Sequence, residues 1–275
     1  MKLAVIGYPI HHSKSPFMHN SWLKECGLKG SYEALEVPPD QLGEQIEDLR
    51  KRNFSGYNVT IPHKENIIQY LDEVEDRATE LGAVNTVVIR DGKSYGYNTD
   101  GDGFLKSLLT KRTTKEVSDS QILIIGAGGA AKGIAGSLHS FGAEKISIAN
   151  RTVIKADQLI ESHGLTGDSM DLAAAQHQIG LFDIVINTTS QGMYPHIHQH
   201  ALDATEMKAG SLAADIIYNP LKTQFLKKAE AAGADILNGV GMFVFQGALA
   251  FEKWTDKIPD TASMINKITK DMKQE

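Results

Sequence analysis

The sequence predicts an α/β protein of two domains, the second a doubly wound parallel sheet, on three observations. Short runs rich in Val, Ile, Leu and Tyr alternate with helix-like segments along nearly the whole chain, as α/β layers require. The apolar run Gln121–Ile125 leads directly into a glycine-rich turn and then a helical pattern. Finally, 275 residues are many for one compact domain and comfortable for two. With 41% hydrophobic and 23% charged residues, the composition is that of an ordinary globular protein, which excludes disordered, collagen-like and coiled-coil architectures.

In the first hundred residues, Lys2–Gly7, Ser31–Val37, Tyr57–Ile61 and Val84–Ile89 read as strands bounded by Gly, Pro or Asn. Pro16–Glu25, Gln41–Arg52 and Asp72–Leu81 read as helices between them, which predicts parallel pairing. Asp91-Gly92 predicts a tight turn joining two extended pieces in a hairpin. Lys111–Ser120 (KRTTKEVSDS) is a polar interruption. Beyond it, Gln121–Ile125, Lys145–Ala149, Asp183–Asn187, Ala213–Tyr218 and Asp235–Leu237 read as strands. Ala130–Phe141, Val153–His163 and Thr223–Ala232 read as helices, and Gly241–Trp254 and Thr261–Lys273 as the last two. A boundary near residues 101–120 gives domains of 1–103 and 104–238, with the helices within 239–275 expected to pack back on the first.

The turn after the Ile-rich strand runs Gly126-Ala127-Gly128-Gly129-Ala130-Ala131, the G-x-G-x-x-G/A spacing of a dinucleotide site in its strand–turn–helix setting. Gly126 permits the tight turn and Gly128 lets a pyrophosphate approach the backbone. The helix N-terminus beyond offers free N–H groups and the positive end of its dipole. The next strand ends in Asn150-Arg151-Thr152, where an NAD-specific site carries an acidic residue for the ribose hydroxyls. Asn150 removes that charge, Arg151 presents a planar cation suited to a phosphate, Thr152 is a good N-cap, and Lys155 adds a second cation. The expected cofactor is therefore NADP(H).

In the N-terminal half, polar residues gather where strands end. Ser15 precedes Pro16 and suits a helix N-cap; with Ser13 beside it, the same hydroxyls and free N–H groups suit a carboxylate. Asn58 and Thr60 share one face of a strand whose other face carries Val59 and Ile61. Pro62 is expected to open a helix with Lys64 in its first turn, where the dipole disfavours a cation and primes the amine for proton transfer. Asn85 sits in an otherwise apolar strand start. Asp100 stands where a strand gives way to a helix, either as a cap or as a ligand-binding group.

These residues fall in an ordered set of motifs: GYPIHHSKSP at 7–16, NVTIPHK at 58–64, GAVNT at 82–86, YNTDG at 97–101, GAGGAA at 126–131, NRT at 150–152, NTTSQGM at 187–193, YNP at 218–220 and GMFVFQGA at 241–248. In that order they resemble the shikimate dehydrogenase family, from Gly7 to Thr255. The resemblance implies reversible NADP-dependent reduction of 3-dehydroshikimate to shikimate on the way to chorismate and the aromatic amino acids. It also implies an N-terminal substrate domain, a Rossmann-type NADP-binding domain, and an active site in the cleft between them. By motif match Lys64 and Asp100 form the catalytic pair. Ser13, Ser15, Asn58, Thr60, Asn85 and Gln246 line the substrate site with Tyr218 nearby, and Thr188, Ser190, Gly239 and Met242 lie along the cofactor. A quinate/shikimate enzyme of broader specificity, or a ligand sensor that kept the fold without catalysis, shares most of these motifs.

A net charge of −6 argues against nucleic acid or an anionic membrane as partner, and leaves room for an anionic small molecule bound by local cations. The lone Cys26 forms no internal disulfide, and the N-terminus turns polar too soon for a signal-peptide core, so a cytoplasmic location is expected; whether the protein is a monomer or homodimer is not written in the sequence. His196-x-His198-x-His200 lacks neighbouring Cys or acidic ligands, so no metal is expected there. Met242–Phe245 reads as core packing.

Overall fold

A computed structural model describes residues 1–274 of the chain. In chain order the first half runs β1 (Lys2–Gly7), α1 (Ser15–Glu25), β2 (Ser31–Glu36), α2 (Leu42–Lys51), β3 (Gly56–Val59), β4 (Glu73–Val74), α3 (Asp76–Leu81), β5 (Thr86–Arg90) and β6 (Lys93–Tyr97). Then follow α4 (Asp100–Leu108), α5 (Thr114–Asp119), β7 (Ile122–Ile125), α6 (Gly129–Ser140), β8 (Ile146–Ala149), α7 (Val153–His163), β9 (Ser169–Met170) and α8 (Leu172–Gln178). The chain closes with β10 (Ile184–Asn187), β11 (Leu212–Asp215), α9 (Gln224–Ala231), β12 (Asp235–Leu237), α10 (Val240–Thr255) and α11 (Thr261–Asp271). Two compact units result, Met1–Thr99 with Gln246–Met264, and Asp100–Phe245 with the described chain from Ile265.

The first unit holds a six-stranded sheet in the order β2-β1-β3-β5-β6-β4. The parallel pairing expected from the sequence holds for β1 with β2 and β3, but β5 runs antiparallel to both β3 and β6, so the sheet is mixed. The β5–β6 turn is the predicted hairpin, with Asp91 (φ 51°) and Gly92 (φ 77°) both left-handed, as a two-residue turn of matching twist demands. The segment predicted as one helix from Asp72 is split: Glu73–Val74 pairs with β6 and only Asp76–Leu81 is helical. Asp72 causes the split, because its carboxylate accepts from Ser94 N (2.8 Å) and Ser94 Oγ (2.7 Å) and fixes the chain to the β6 edge. Ala4, Ile6, Leu49, Tyr57, Val59, Ile67 and Val87 form one core on this sheet; Leu3, Val5, Tyr32, Val88, Ala250 and Trp254 form another.

The second unit holds an all-parallel sheet in the order β12-β11-β10-β7-β8-β9, the doubly wound order in which the winding reverses between β7 and β10. β7, β8, β10 and β11 are buried at every residue, as expected for strands covered by helices on both faces. Within the polar interruption, Thr113 and Glu116 form a reciprocal capping box that makes α5 a helix rather than a loop.

Candidate functional site

In the first unit the change of winding falls between β1 and β3, where strand order runs 2-1-3, and the loops beyond their carboxyl ends carry the predicted polar residues. Ser15 is the first residue of α1 and not its cap; Lys14 takes the cap position, without a side-chain capping bond. Pro16 follows in the first turn, and Ser15 N donates to Ser13 Oγ at 3.3 Å, so the two serines form one small turn. The helix expected at Pro62 is absent. His63 N donates to Thr60 O (2.9 Å) and the buried His63 ring places Nε2 2.7 Å from Val37 O, closing a tight turn; a 3₁₀ segment starts only at Asn66. Lys64 therefore precedes that segment, and the helix-dipole argument for its amine does not apply. Its carbonyl accepts from Val84 N at 2.8 Å, which seats it beside Asn85.

Asn58, Asn85 and Gln246 belong to one connected set of side chains. Tyr32 Oη donates to Asn58 Oδ1 (2.7 Å), and Asn58 Nδ2 donates to Asn85 O (3.1 Å) and Thr86 Oγ1 (3.2 Å). Thr86 Oγ1 donates to Asn85 Oδ1 (2.9 Å), which also accepts from Thr99 N (2.9 Å). Asn85 Nδ2 donates to Thr99 Oγ1 (2.9 Å) and Gln246 Oε1 (3.4 Å), and Thr99 Oγ1 donates to Gln246 O (3.1 Å). Asn58, Asn85, Thr86 and Thr99 are all buried, so these bonds offset a desolvation cost that each polar group would otherwise carry alone. Burial pushes the Tyr32 phenol well above its ordinary pKa, against an opposing hydrogen bond from Ser15, so it keeps its proton as a donor. Thr86 and Thr99 lie within the motifs GAVNT and YNTDG but drew no site role from the sequence, and Tyr32 lies outside every motif. Tyr and Thr are common strand residues, and only their full burial distinguishes them here.

In the second unit, Gly126 ends β7 at φ +108°, a region that a side chain strains, and a Cβ there would stand 2.6 Å from Thr188 Oγ1. Thr188 packs over the turn, donating through N (3.0 Å) and Oγ1 (2.7 Å) to Ile125 O. At Gly128 and Gly129, by contrast, a Cβ would meet nothing within 4 Å, so the N-terminus of α6 opens onto unobstructed space. An open, glycine-walled helix start fits a pyrophosphate. At the end of β8, Asn150 Nδ2 donates to Thr152 O (2.9 Å) and braces the turn, with Arg151 and Lys155 exposed. Thr152 occupies the cap position of α7, but its side chain makes no capping bond.

Asp215, at the end of β11, organises this side of the unit, and the sequence reading passed over it. Its buried carboxylate accepts from Asn187 Nδ2 (3.1 Å), Ile217 N (3.0 Å) and Thr223 Oγ1 (2.7 Å), tying the loops after β10 and β11 to the start of α9. Burial raises its pKa to about 6 against these three donors. Asn187 Oδ1 in turn accepts from Thr189 N (3.1 Å) and Oγ1 (2.7 Å), between Thr188 and the exposed Ser190. A charge closing an otherwise apolar strand, LAAD, is the signal that could have found it. Tyr218 lies in the loop after β11 with its ring tilted against Phe243, 5.0 Å between centroids. Gly239 is required by close approach, since a Cβ would stand 2.1 Å from Ile216 O, and the half-buried Met242 follows on α10. Asp100 is buried and opens α4, where its negative charge complements the helix N-terminus.

Three family domains match the chain: "Shikimate dehydrogenase substrate binding domain" over residues 5–87, "Shikimate / quinate 5-dehydrogenase" over 108–219, and "Shikimate 5'-dehydrogenase C-terminal domain" over 239–268. A relative from Geobacillus sp. (strain WCH70), named shikimate dehydrogenase (NADP(+)), is 47% identical over 263 residues, 95% of each chain. A second so named, from Shouchella clausii, is 43% identical over 96% of each chain. Among solved structures, the shikimate 5-dehydrogenase of Thermus thermophilus in complex with NADP(H) and shikimate superposes with a TM-score of 0.89 at 36% identity, covering 98% of this chain and 99% of that one.

Proposed function

The chain belongs to the shikimate dehydrogenase family, and from that premise we propose its function: reversible, NADPH-dependent reduction of 3-dehydroshikimate to shikimate, an oxidoreductase step at a CH–OH group on the route to chorismate. The observation that carries this is likeness along the whole chain, 47% identity over 95% of both proteins, rather than a shared fold alone. The absent acidic residue at the end of β8 agrees with the NADP(+) in the relatives' names and speaks against the broader, NAD-using quinate alternative.

NADPH, when bound, supplies the hydride. The chain's own residues bind, orient and move a proton. Gly126, Ala127, Gly128, Gly129 and Ala130 hold the pyrophosphate through backbone N–H groups, and Arg151 with Asn150, Thr152 and Lys155 takes the additional phosphate of NADP. Thr188, Ser190, Gly239 and Met242 lie along the rest of the cofactor. Ser13 and Ser15 donate to the substrate carboxylate, while Asn58, Thr60, Asn85, Tyr218 and Gln246 meet the ring and its hydroxyls. As the ketone is reduced its oxygen gains negative charge, and Lys64 Nζ supplies the proton there. Asp100 accepts from a ring hydroxyl and orients the ring. Among the described residues, no helix is long and apolar enough to cross a membrane. The enzyme acts in the cytoplasm as a monomer or homodimer, which sedimentation velocity distinguishes.

The test is absorbance at the reduced-nicotinamide band with shikimate and NADP⁺. A rise that depends on both is expected; no reaction at any pH overturns the function.

A further inference from the structure

Tyr32 is 3% exposed on β2, with its ring stacked on His19 at 4.3 Å between centroids. Its hydroxyl is the one polar group on that ring, and it donates to Asn58 Oδ1 at 2.7 Å. Asn58 has two amide hydrogens, and both are spent on protein acceptors, Asn85 O and Thr86 Oγ1. Flipping the Asn58 amide would turn its oxygen onto Asn85 O, setting two buried acceptors against each other, and would deprive the Tyr32 proton of its acceptor. The hydrogen-bond sense at Asn58 is thus fixed from both sides. What the amide retains for a ligand is the second lone pair of Oδ1.

We propose that Tyr32 is a specificity-determining positioning residue, which locks Asn58 as a hydrogen-bond acceptor so that the site selects a ring hydroxyl over an ether or carbonyl oxygen at that place. This rests on the assignment of Asn58 to the substrate site. It fits the reaction, because the ring hydroxyls that do not react are present in both 3-dehydroshikimate and shikimate, and each is a donor. A wrong substituent would set its lone pairs against those of Oδ1 in a buried place. Such a mismatch discriminates more strongly than a lost methylene does.

Tyr32→Phe deletes the one oxygen and keeps the ring on His19. The expected result is a roughly tenfold higher KM for shikimate, kcat within about threefold, and an unchanged KM for NADP⁺. Preference for shikimate over the mono-O-methyl ether at the hydroxyl read by Asn58 falls by a similar factor, because one of the two restraints on the sense of the amide is then gone. Thr86→Val, which removes an acceptor from the other side of the amide, is expected to reduce the same preference and keeps the test open if Tyr32→Phe does not fold. Unchanged KM and unchanged preference in a folded variant, or a fall in melting temperature with selectivity intact, overturn the proposal. Asn58→Ala separates the two assignments. If it leaves KM for shikimate unaltered, the placement of Asn58 falls and the proposal with it. If it raises KM while Tyr32→Phe does not, only the role of Tyr32 falls.

Discussion

Both units set their polar loops at the carboxyl ends of parallel strands flanking a reversal of winding, between β1 and β3 in one and between β7 and β10 in the other. What occupies that place differs. In the first unit it is a chain of neutral side chains, Tyr32, Asn58, Thr86, Asn85 and Thr99, each holding the next in one orientation. In the second it is bare backbone, Gly126 to Gly129, with the buried carboxylate of Asp215 bracing the loops behind it. The difference follows from the ligands proposed for the two places. A pyrophosphate is recognised by N–H groups and a dipole, which glycine exposes best. A polyhydroxylated ring needs donors and acceptors of defined sense, which only side chains held by other side chains provide.

The largest test of this contrast concerns the proton. If the first unit's uncharged groups recognise and Lys64 alone supplies chemistry, Lys64→Ala lowers kcat by about 10²–10⁴-fold and changes KM for shikimate far less. Asn85→Ala is expected to show the reverse weighting. Steady-state kinetics on the two variants decide it; a near-wild-type kcat for Lys64→Ala removes the lysine from the mechanism.

Asp215 offers a test through pH. Its folded pKa, about 6, lies above the ordinary 3.8, so the folded chain holds a proton more tightly than the unfolded chain does. This contribution is fully present below about pH 4 and is lost as pH rises through 6, amounting to about 3 kcal/mol. Asp215→Asn can keep the bonds from Asn187 and Ile217 and meet Thr223 by turning its hydroxyl. Relative to the parent, the variant is therefore expected to gain stability between pH 4 and pH 7 in denaturant titrations. A stability difference independent of pH excludes titration of this carboxylate.

The first unit gives the opposite sign. His19 is fully buried among Trp22, Tyr32, Phe251 and Trp254, with neither ring nitrogen hydrogen-bonded, and burial lowers its pKa to about 3. The unfolded chain takes up a proton below about 6.5 while the folded chain does not, so stability falls as pH drops from 6.5 toward 3, by about 2 kcal/mol at pH 5. His19→Phe preserves the stacking and abolishes that loss, so its stability relative to the parent improves from pH 7.5 to pH 5. Urea midpoints at the two pH values measure it, and equal shifts at both would exclude the buried neutral histidine as the cause.

Much of this was legible in the sequence, for a physical reason. Strand ends next to glycine and proline leave little freedom, so Gly126, Asn150 and Asn58 could be placed from their neighbours. What escaped were interactions distant in the chain. Tyr32 to Asn58 and Asn187 to Asp215 join residues 26 and 28 positions apart, and no local pattern distinguishes such a Tyr or Asp from an ordinary strand residue or strand end. Pro62 misled because a proline suits both a helix start and a turn; the buried His63 ring, held at Val37 O, selects the turn. The pairing of β3 with β5 was misread because helical spacing implies a parallel crossover, whereas the short α3 returns the chain antiparallel.

The smallest expected effect sharpens the cofactor side. Arg151 is exposed, so the contribution proposed for it to a bound phosphate is made at the protein surface and is screened by salt. Charge-assisted bonds of this kind are worth about 1.5–3 kcal/mol before screening, so Arg151→Ala is expected to raise KM for NADP⁺ about tenfold and leave KM for NAD⁺ nearly unchanged. Because Asn150 braces the turn through Thr152 O, the backbone around Arg151 stays in place in that variant, and the loss reports on the guanidinium alone. The ratio of kcat/KM for the two cofactors, measured at low and high salt, is the readout. A ratio that does not move would assign the choice of NADP over NAD to the missing acidic residue and Lys155, and would make the second unit's recognition almost wholly a matter of backbone.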